Sequence, residues 1–384
     1  MQALDAIMPV SISEVKTKRE LTQFIYFPLR LHRNNPKWVP PVYMDEWKFF
    51  NPAKNSSFKY CDTILILAKK DKKVVGRIMG IIHRNYNELK GEKTGRFMWF
   101  ESIDDQEVAH ALLEYIREWV KARGMDKLIG PFGFTDKDPQ GCLIEGFEYR
   151  AVLTTIYHPE YYRILIENEG FTKEVDLVEY LIPVPDTIPD FYQRIYDRAL
   201  KNHKVKIKEF KKKKELKPFI VPVLKLMNET FSDIFGSFPL NEEEMIALAK
   251  EYLPVLDPDF VKVVVNTNDE LVAFIVGMPD IAEGLQKAKG KLLPFGIFHI
   301  LKAAKKTDQL VLLLGGIRSD VQGIGLDALM GIKMLETATR RKFRVIDSHL
   351  ELETNYKVRA EMEKMGGKVA KVFRIYQKSL VVSR

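Results

Sequence analysis

Cysteine is nearly absent: Cys61 and Cys142 are the only thiols in 384 residues. Two isolated thiols build neither a disulfide framework nor a four-ligand zinc site, and they suit a reducing, cytoplasmic setting. The seven histidines show no metal-ligand spacing, so no metal is expected. No run approaches the roughly 18 apolar residues of a membrane span. Residues 1–20 hold several charges and no apolar core, so no secretory signal is visible. What the chain does have is 46% hydrophobic residues, enough at this length to bury two cores.

Its positive charge is concentrated. Lys201–Lys217 holds nine lysines against two glutamates, in a chain whose net charge is +8. Within that run Val205, Ile207 and Phe210 alternate with lysines, as at the start of an amphipathic strand. The segment reads as a charged connector opening a second domain. A nucleic-acid surface is the alternative, but aromatic interleaving for base stacking is absent nearby, which argues against nucleic acid.

Residues 310–330 are the most informative stretch: the apolar strand Leu310–Leu314, a loop with Gly323 and Gly325, and a helix opening near Leu326. Without Cβ atoms at the glycines, the amides of Gln322, Gly323, Ile324, Gly325 and Leu326 can close around a bulky anion. The helix dipole favours the negative charge. A diphosphate is the natural guest, although tight strand-to-helix turns also use glycine for steric reasons alone.

A second copy of this pattern lies upstream. Aligning Gln106–Leu113 with Gln322–Leu329 matches Gln106 to Gln322, Val108 to Ile324 and Leu113 to Leu329. Each copy begins with a hairpin, at Thr63–Ile82 and Phe260–Val276, and ends in a helix closed by glycine, at Gly170 and Gly366. In that alignment Glu107 and Ala109 face Gly323 and Gly325, so the first copy's loop is expected to be degenerate. The first copy also carries an insertion, Pro131–Arg150, readable as a surface loop or as a segment completing the other domain's pocket. Prolines 183, 185 and 189 mark the junction, giving domains 1–190 and 191–384.

At this point the chain resembles the GCN5-related N-acetyltransferase (GNAT) superfamily. Its coenzyme A loop, Gln/Arg-x-x-Gly-x-Gly/Ala, corresponds to Asp320-Val-Gln-Gly-Ile-Gly325, with Asp320 in place of Gln or Arg and Arg318 nearby. The later Asn…Lys-x-Gly pattern corresponds to Asn355, Lys364 and Gly366, with Met362 where a proton-donating tyrosine often stands. Asn35–Pro41, Val75–Arg77, Phe100–Glu107, Gly141–Phe147, Leu293–Gly296 and Leu352–Asn355 further resemble an uncharacterised bacterial group of two-domain GNAT-like proteins. The resemblance implies an α/β fold: tandem GNAT-like acyl-CoA N-acyltransferase domains with mixed twisted sheets flanked by helices. It implies acetyl-CoA or another acyl-CoA as co-substrate, held by Gln322–Leu326, by the backbone of Gly315, Gly316 and Ile317 on the pantetheine arm, and by Asn355.

The implied activity is transfer of acetyl to an unidentified small-molecule or lipid-like amine. Two alternatives stay open: a Fem-like aminoacyl-tRNA-dependent transferase, and an acyl-CoA-binding protein without catalysis. As a strand, Val345–Glu353 sets Asp347, His349, Glu351 and Glu353 on one face, facing solvent or a wet cleft. Glu353, nearest the strand end, and Glu351 are the candidate bases, with Tyr356 or Tyr376 as thiolate proton donor. Leu285–Lys306, apolar residues flanked by lysines, either packs on the sheet, caps an apolar substrate or touches a membrane surface.

Overall fold

The computed structural model describes residues 9–188, 205–253 and 256–381, together with Tyr192 and Arg194. The junction at 190/191, Pro189, Lys201–Lys204 and the first eight residues lie outside the described residues. The chain divides into two compact units that do not follow one another simply: Met1–Leu177 joins Ala282–Ile300 and Lys371–Arg384, while Val178–Ile281 joins Leu301–Ala370.

In the first unit, β1 (Ser11–Glu14), β2 (Cys61–Lys70), β3 (Lys73–His83), β4 (Thr94–Ser102) and β5 (Lys127–Gly130) lie side by side in that order. Asp71 and Lys72, both at positive φ, make the tight turn that the right-handed strand twist of β2 and β3 favours. Helices α1 (Lys18–Leu31), α2 (Tyr43–Phe49) and α3 (Arg84–Lys90) precede α4 (Gln106–Lys121), whose Val108, Leu112, Ile116 and Val120 form one buried stripe. Gly95 lets α4 sit close: a Cβ there would lie 2.5 Å from Val120 Cγ1.

Inside this unit Glu101 is buried with His32 Nε2 at 2.8 Å and the Tyr162 hydroxyl donating at 2.7 Å. Burial alone would raise its carboxyl, but His32 and then Arg77 outweigh that and hold it at about 2. The network ties α1 and β4 to α5 (Tyr161–Asn168), which follows the short strand β6 (Cys142–Glu145). After α5 comes β7 (Thr172–Pro183), whose residues from Val178 belong to the second unit.

The second unit's sheet runs β8 (Lys206–Glu209), β9 (Val261–Val265), β10 (Leu271–Pro279), β11 (Gln309–Ile317) and β12 (Val345–Leu352). Val205 and Phe210 are buried on either side of β8 and Ile207 is half-buried, so the described part of the basic run is a short strand with its apolar residues turned inward, followed by the first turn of a helix. It leads into α6 (Lys213–Thr230) and α7 (Glu242–Tyr252). Then come α8 (Ala282–Ala288), α9 (Gly296–Lys306), α10 (Leu326–Arg340), α11 (Tyr356–Lys364) and the last strand, β13 (Lys368–Ser379).

The repeat is visible in the ladders. In each copy an antiparallel hairpin leads to a strand that pairs in parallel with its successor over three residues only: Thr94–Arg96 with Lys127–Ile129, and Gln309–Val311 with Val345–Asp347. In each, a bulge follows on the opposite edge, between Arg77 and Met79 and between Val276 and Gly277. The strands of each unit are therefore mixed in direction and flanked by helices.

Two features differ from the sequence reading. Helix α4 already begins at Gln106, capped by the Asp105 side chain on the Glu107 and Val108 amides, so Glu107 and Ala109 lie inside a helix. Helix α10 begins at Leu326, four residues beyond the aligned Gln322. The apolar spacing matched one turn out of register, because a 3.6-residue period tolerates a four-residue slip. The second feature is β13: although last in the chain, it pairs with β5 through Tyr376↔Gly130 to Ser379↔Lys127 and completes the first unit. Arg374 adds a two-bond fork to Asp176, at 2.8 and 2.9 Å.

Ile375 is fully buried on β13, so Ile375→Ala should destabilise the first unit by about 2–5 kcal/mol. All four tryptophans, Trp38, Trp47, Trp99 and Trp119, lie in that unit. Urea unfolding followed by tryptophan fluorescence should therefore shift to a lower midpoint; an unchanged midpoint would remove β13 from that core.

Candidate functional site

The second unit's parallel pair parts partway along its length. Strand β11 stays paired with β10 from Leu310 to Ile317 but leaves β12 after Val311. The bulge gives Leu313 no opposite residue, and a bulge bends its strand. Beyond it, the Arg318 amide donates to Val272 O at 2.9 Å, so that peptide faces β10. Strand alternation then turns the peptide groups of Ile317 and Gly315 the other way, to the side β12 has left. Gly315 is exposed, and Ile317 O accepts from the Gln322 side chain at 3.3 Å.

A short 3-10 turn, Ser319–Val321, carries the chain to Gln322. Gly323 and Gly325 then adopt φ of 78° and 87°, a region costly for most side chains. Gly325 caps α10 without a side-chain hydrogen bond, while Asp327 Oδ1 takes the Ala328 amide at 2.8 Å. The space around Gly323 is open, since a Cβ there would meet nothing within 4 Å. Gln322–Leu326 thus leads accessible backbone into the positive end of a 15-residue helix.

Arg318 and Asp320 form a two-bond fork at 2.7 and 2.9 Å. The arginine that the sequence offered to offset Asp320 does so by direct pairing, so its charge is engaged beside the loop. Hydrogen bonding to Arg318 also holds the Asp320 carboxyl below its usual range.

On β12 the expected alternation breaks. His349 has φ of 63°, its amide donating to Asp347 Oδ1 at 3.0 Å, and Asp347 is fully buried with Gln309 donating to Oδ2 at 3.1 Å. Asp347 is therefore a core residue, and the four ionisable residues do not form one row. Glu351 and Glu353 have different surroundings. Burial pushes Glu351 up to about 7, partly offset by Asn355 Nδ2 at 3.3 Å. Glu353 sits near the positive Arg359, whose guanidinium donates to its backbone oxygen at 2.7 Å.

Asn355 lies beyond the turn that follows β12 and is the N-cap position of α11, whose first residue, Tyr356, is 72% exposed. Met362 lies half-buried on that helix, and its carbonyl accepts the Gly367 amide at 2.9 Å, closing the helix. Tyr376 belongs to the first unit's core, where its hydroxyl donates to Glu167 at 2.9 Å and burial pushes it far up.

Sequence reasoning missed two acids. Glu361 on α11 shares a hydrogen bond with Asp327 in the first turn of α10. Burial, then Asp327, then the charge of Glu351 push Glu361 up to about 8, with Lys364 opposing. An acid in a first helical turn is ordinary helix chemistry, so neither residue stands out until α10 and α11 are seen together.

No family model matches the chain. It is 28% identical over 372 residues to Protein YghO of Escherichia coli (strain K12), covering 94% of both chains. It is 27% identical over 380 residues to the bacterial ceramide synthase of Caulobacter vibrioides (strain NA1000 / CB15N), covering 97% of this chain and 98% of that one. A solved tandem GNAT protein from the clavulanic acid biosynthesis pathway matches over 98% of this chain and all of its own, with a TM-score of 0.54 at 11% identity. Two parallel pairs that part after three residues, each behind an antiparallel hairpin, agree with that match: this chain has the tandem GNAT fold.

Proposed function

We propose that the chain is an acyl-CoA-dependent N-acyltransferase whose site lies in the second unit, where β11 parts from β12. The observation that carries the reading is this parting, which ends in a glycine loop at a helix N-terminus whose cap, Gly325, brings no side chain to it. Amides of Gln322, Gly323, Ile324, Gly325 and Leu326 would hold the diphosphate. The peptide groups of Gly315 and Ile317, on either side of Gly316, would pair with the pantetheine arm, Gln322 giving up Ile317 O. Asn355, already on Glu351, would border the same arm.

Bound acyl-CoA supplies an activated thioester. What the chain supplies is position and a base. An amine reaches neutral pH as ammonium and must lose a proton before it can attack. Glu351 is the group suited to take it, being half-buried and carrying a pKa near the working range. Glu353, beside Arg359, is better suited to holding β12 and α11 together. Exposed Tyr356 is the nearer of the two tyrosines in sequence for returning a proton to the thiolate. The 27% identity to a bacterial ceramide synthase supports a lipid-like acceptor, since a ceramide is an amide of a long-chain amino alcohol.

Calorimetry with acetyl-CoA and long-chain acyl-CoAs, followed by turnover with a long-chain amino alcohol and simpler amines, tests this reading. No binding of any acyl-CoA would sink it, and binding without turnover across the amines would favour a non-catalytic ligand-binding protein.

The loop has its own test. Asn and Asp both tolerate positive φ and have almost the same size, so Gly323→Asn and Gly323→Asp differ mainly in charge. The aspartate should weaken coenzyme A binding more than tenfold relative to the asparagine, because charge-assisted amide–phosphate bonds contribute about 1.5–3 kcal/mol each. Equal affinities would place the diphosphate elsewhere. For the base, only ionised Glu351 accepts a proton, so kcat/KM should climb as pH rises through about 7 and level off above it. Glu351→Gln should remove that limb and cost about 100-fold or more; a retained limb would reassign the base.

A further inference from the structure

The segment from Lys291 to Lys306 is unlike the rest of the surface. Its turn and the first half of α9 expose Leu293 (79%), Phe295 (69%), Phe298 (65%) and Leu301 (53%) next to one another in sequence. Ile297 is also exposed. On α9 the positions of Ile297, Phe298 and Leu301 share one face, while Ala303, opposite, is buried. The helix therefore docks through its small residues and turns its largest apolar ones outward, the reverse of an ordinary surface helix.

Charge surrounds the patch on both sides. Between Glu283 and Asp308 the chain has six lysines and no acid, and Lys287, Lys289, Lys291, Lys302, Lys305 and Lys306 are all exposed. Lys287 is paired with Glu283; the others stand nearer the apolar side chains. The base of the segment is fixed: Gln286 Nε2 donates to Pro36 O and Trp38 O, both at 2.8 Å, and the Tyr43 amide donates to Gly290 O at 3.0 Å. A fixed stem thus carries an exposed apolar tip within a basic collar. Helix α9 has 11 residues, too few to span a bilayer but enough to lie in its interface.

We propose that residues 291–306 are a membrane-surface anchor for bilayers bearing anionic lipids. Phe295, Phe298, Leu293 and Leu301 enter the headgroup–acyl boundary, and Lys291, Lys302, Lys305 and Lys306 meet the lipid phosphates. The basic collar is what selects a lipid surface over a second copy of this chain, whose same patch would bring the lysines together. This goes beyond the acyl-transfer reading and does not depend on it. A peripheral enzyme placed there would meet acceptors too apolar to reach it through water.

The test is sedimentation of the full chain with vesicles of phosphatidylcholine alone or mixed with phosphatidylglycerol, without acyl-CoA. The chain should bind the mixed vesicles, and binding should fall more than tenfold in Phe295→Ser/Phe298→Ser and in Lys302→Glu/Lys305→Glu. Both variants should keep the parent's thermal unfolding and acyl-CoA affinity, since neither touches the glycine loop. Absent vesicle binding, or binding unchanged in both variants, overturns the proposal. So does a dimer in size-exclusion chromatography that the phenylalanine variant breaks while vesicles are ignored. Loss of acyl-CoA binding with vesicle binding intact would count against the transferase reading alone.

Discussion

A strand that loses its neighbour leaves peptide groups without partners, and such groups must find others. That constraint arises in both copies of this fold, because the parallel pair parts after three residues in each. The first unit meets it internally. Phe132 donates its amide to Phe97 O at 2.8 Å, and Arg96 donates to Gly133 O and Phe134 O at 3.1 and 2.7 Å. Phe132 and Phe134 are buried there, so the opening is filled by the chain's own Pro131–Arg150 insertion. In the second unit the Gln322 side chain donates to Ile317 O, a contact a ligand can replace.

The same contrast holds at the helix ends. Asp105 already occupies the N-terminus of α4 and is itself paired with Lys70 at 2.7 Å, so that anion site is filled by the chain's own carboxylate. Its strand-to-helix connection is three residues long, Ile103–Asp105, against eight from Arg318 to Gly325. Loop length and cap together separate a closed copy from an open one. The first unit is held together by its buried Glu101 network and by the pairing of β13 with β5.

Hairpins, strands and the glycine loop were legible because they rest on local chemistry: apolar alternation, turn residues, and glycines at positive φ. The two copies were legible for the same reason. The helix starts were not, since Gln106 and Gln322 match by spacing whatever their caps do. The route of β13 was not, since Phe373 and Ile375, alternating about Arg374, fit equally well beside β5 or any other strand. His349 shows a third limit. A single residue at positive φ resets the face on which Glu351 falls, and nothing in Asp-Ser-His-Leu-Glu announces it. Of the candidate residues, the loop and Asn355 stand out by motif spacing alone, whereas the difference in surroundings between Glu351 and Glu353 rests on burial and Arg359, which spacing does not carry.

The acids near the loop bear on how a polyanion could be held there at all. Asp320 would repel a diphosphate if its charge stood alone, but Arg318 forks onto it, so the pair adds little net charge beside the glycines. Asp327 lies closer still, in the first turn of α10, and shares its hydrogen bond with Glu361, which stays protonated up to about 8. With Glu361 neutral, the pair carries one negative charge near neutral pH instead of two. Glu351, titrating at about 7, is likewise only partly charged there. Asp320, Glu361 and Glu351 are thus muted by a partner or by burial, which leaves the positive end of the helix dipole to attract phosphates under the proposed reading.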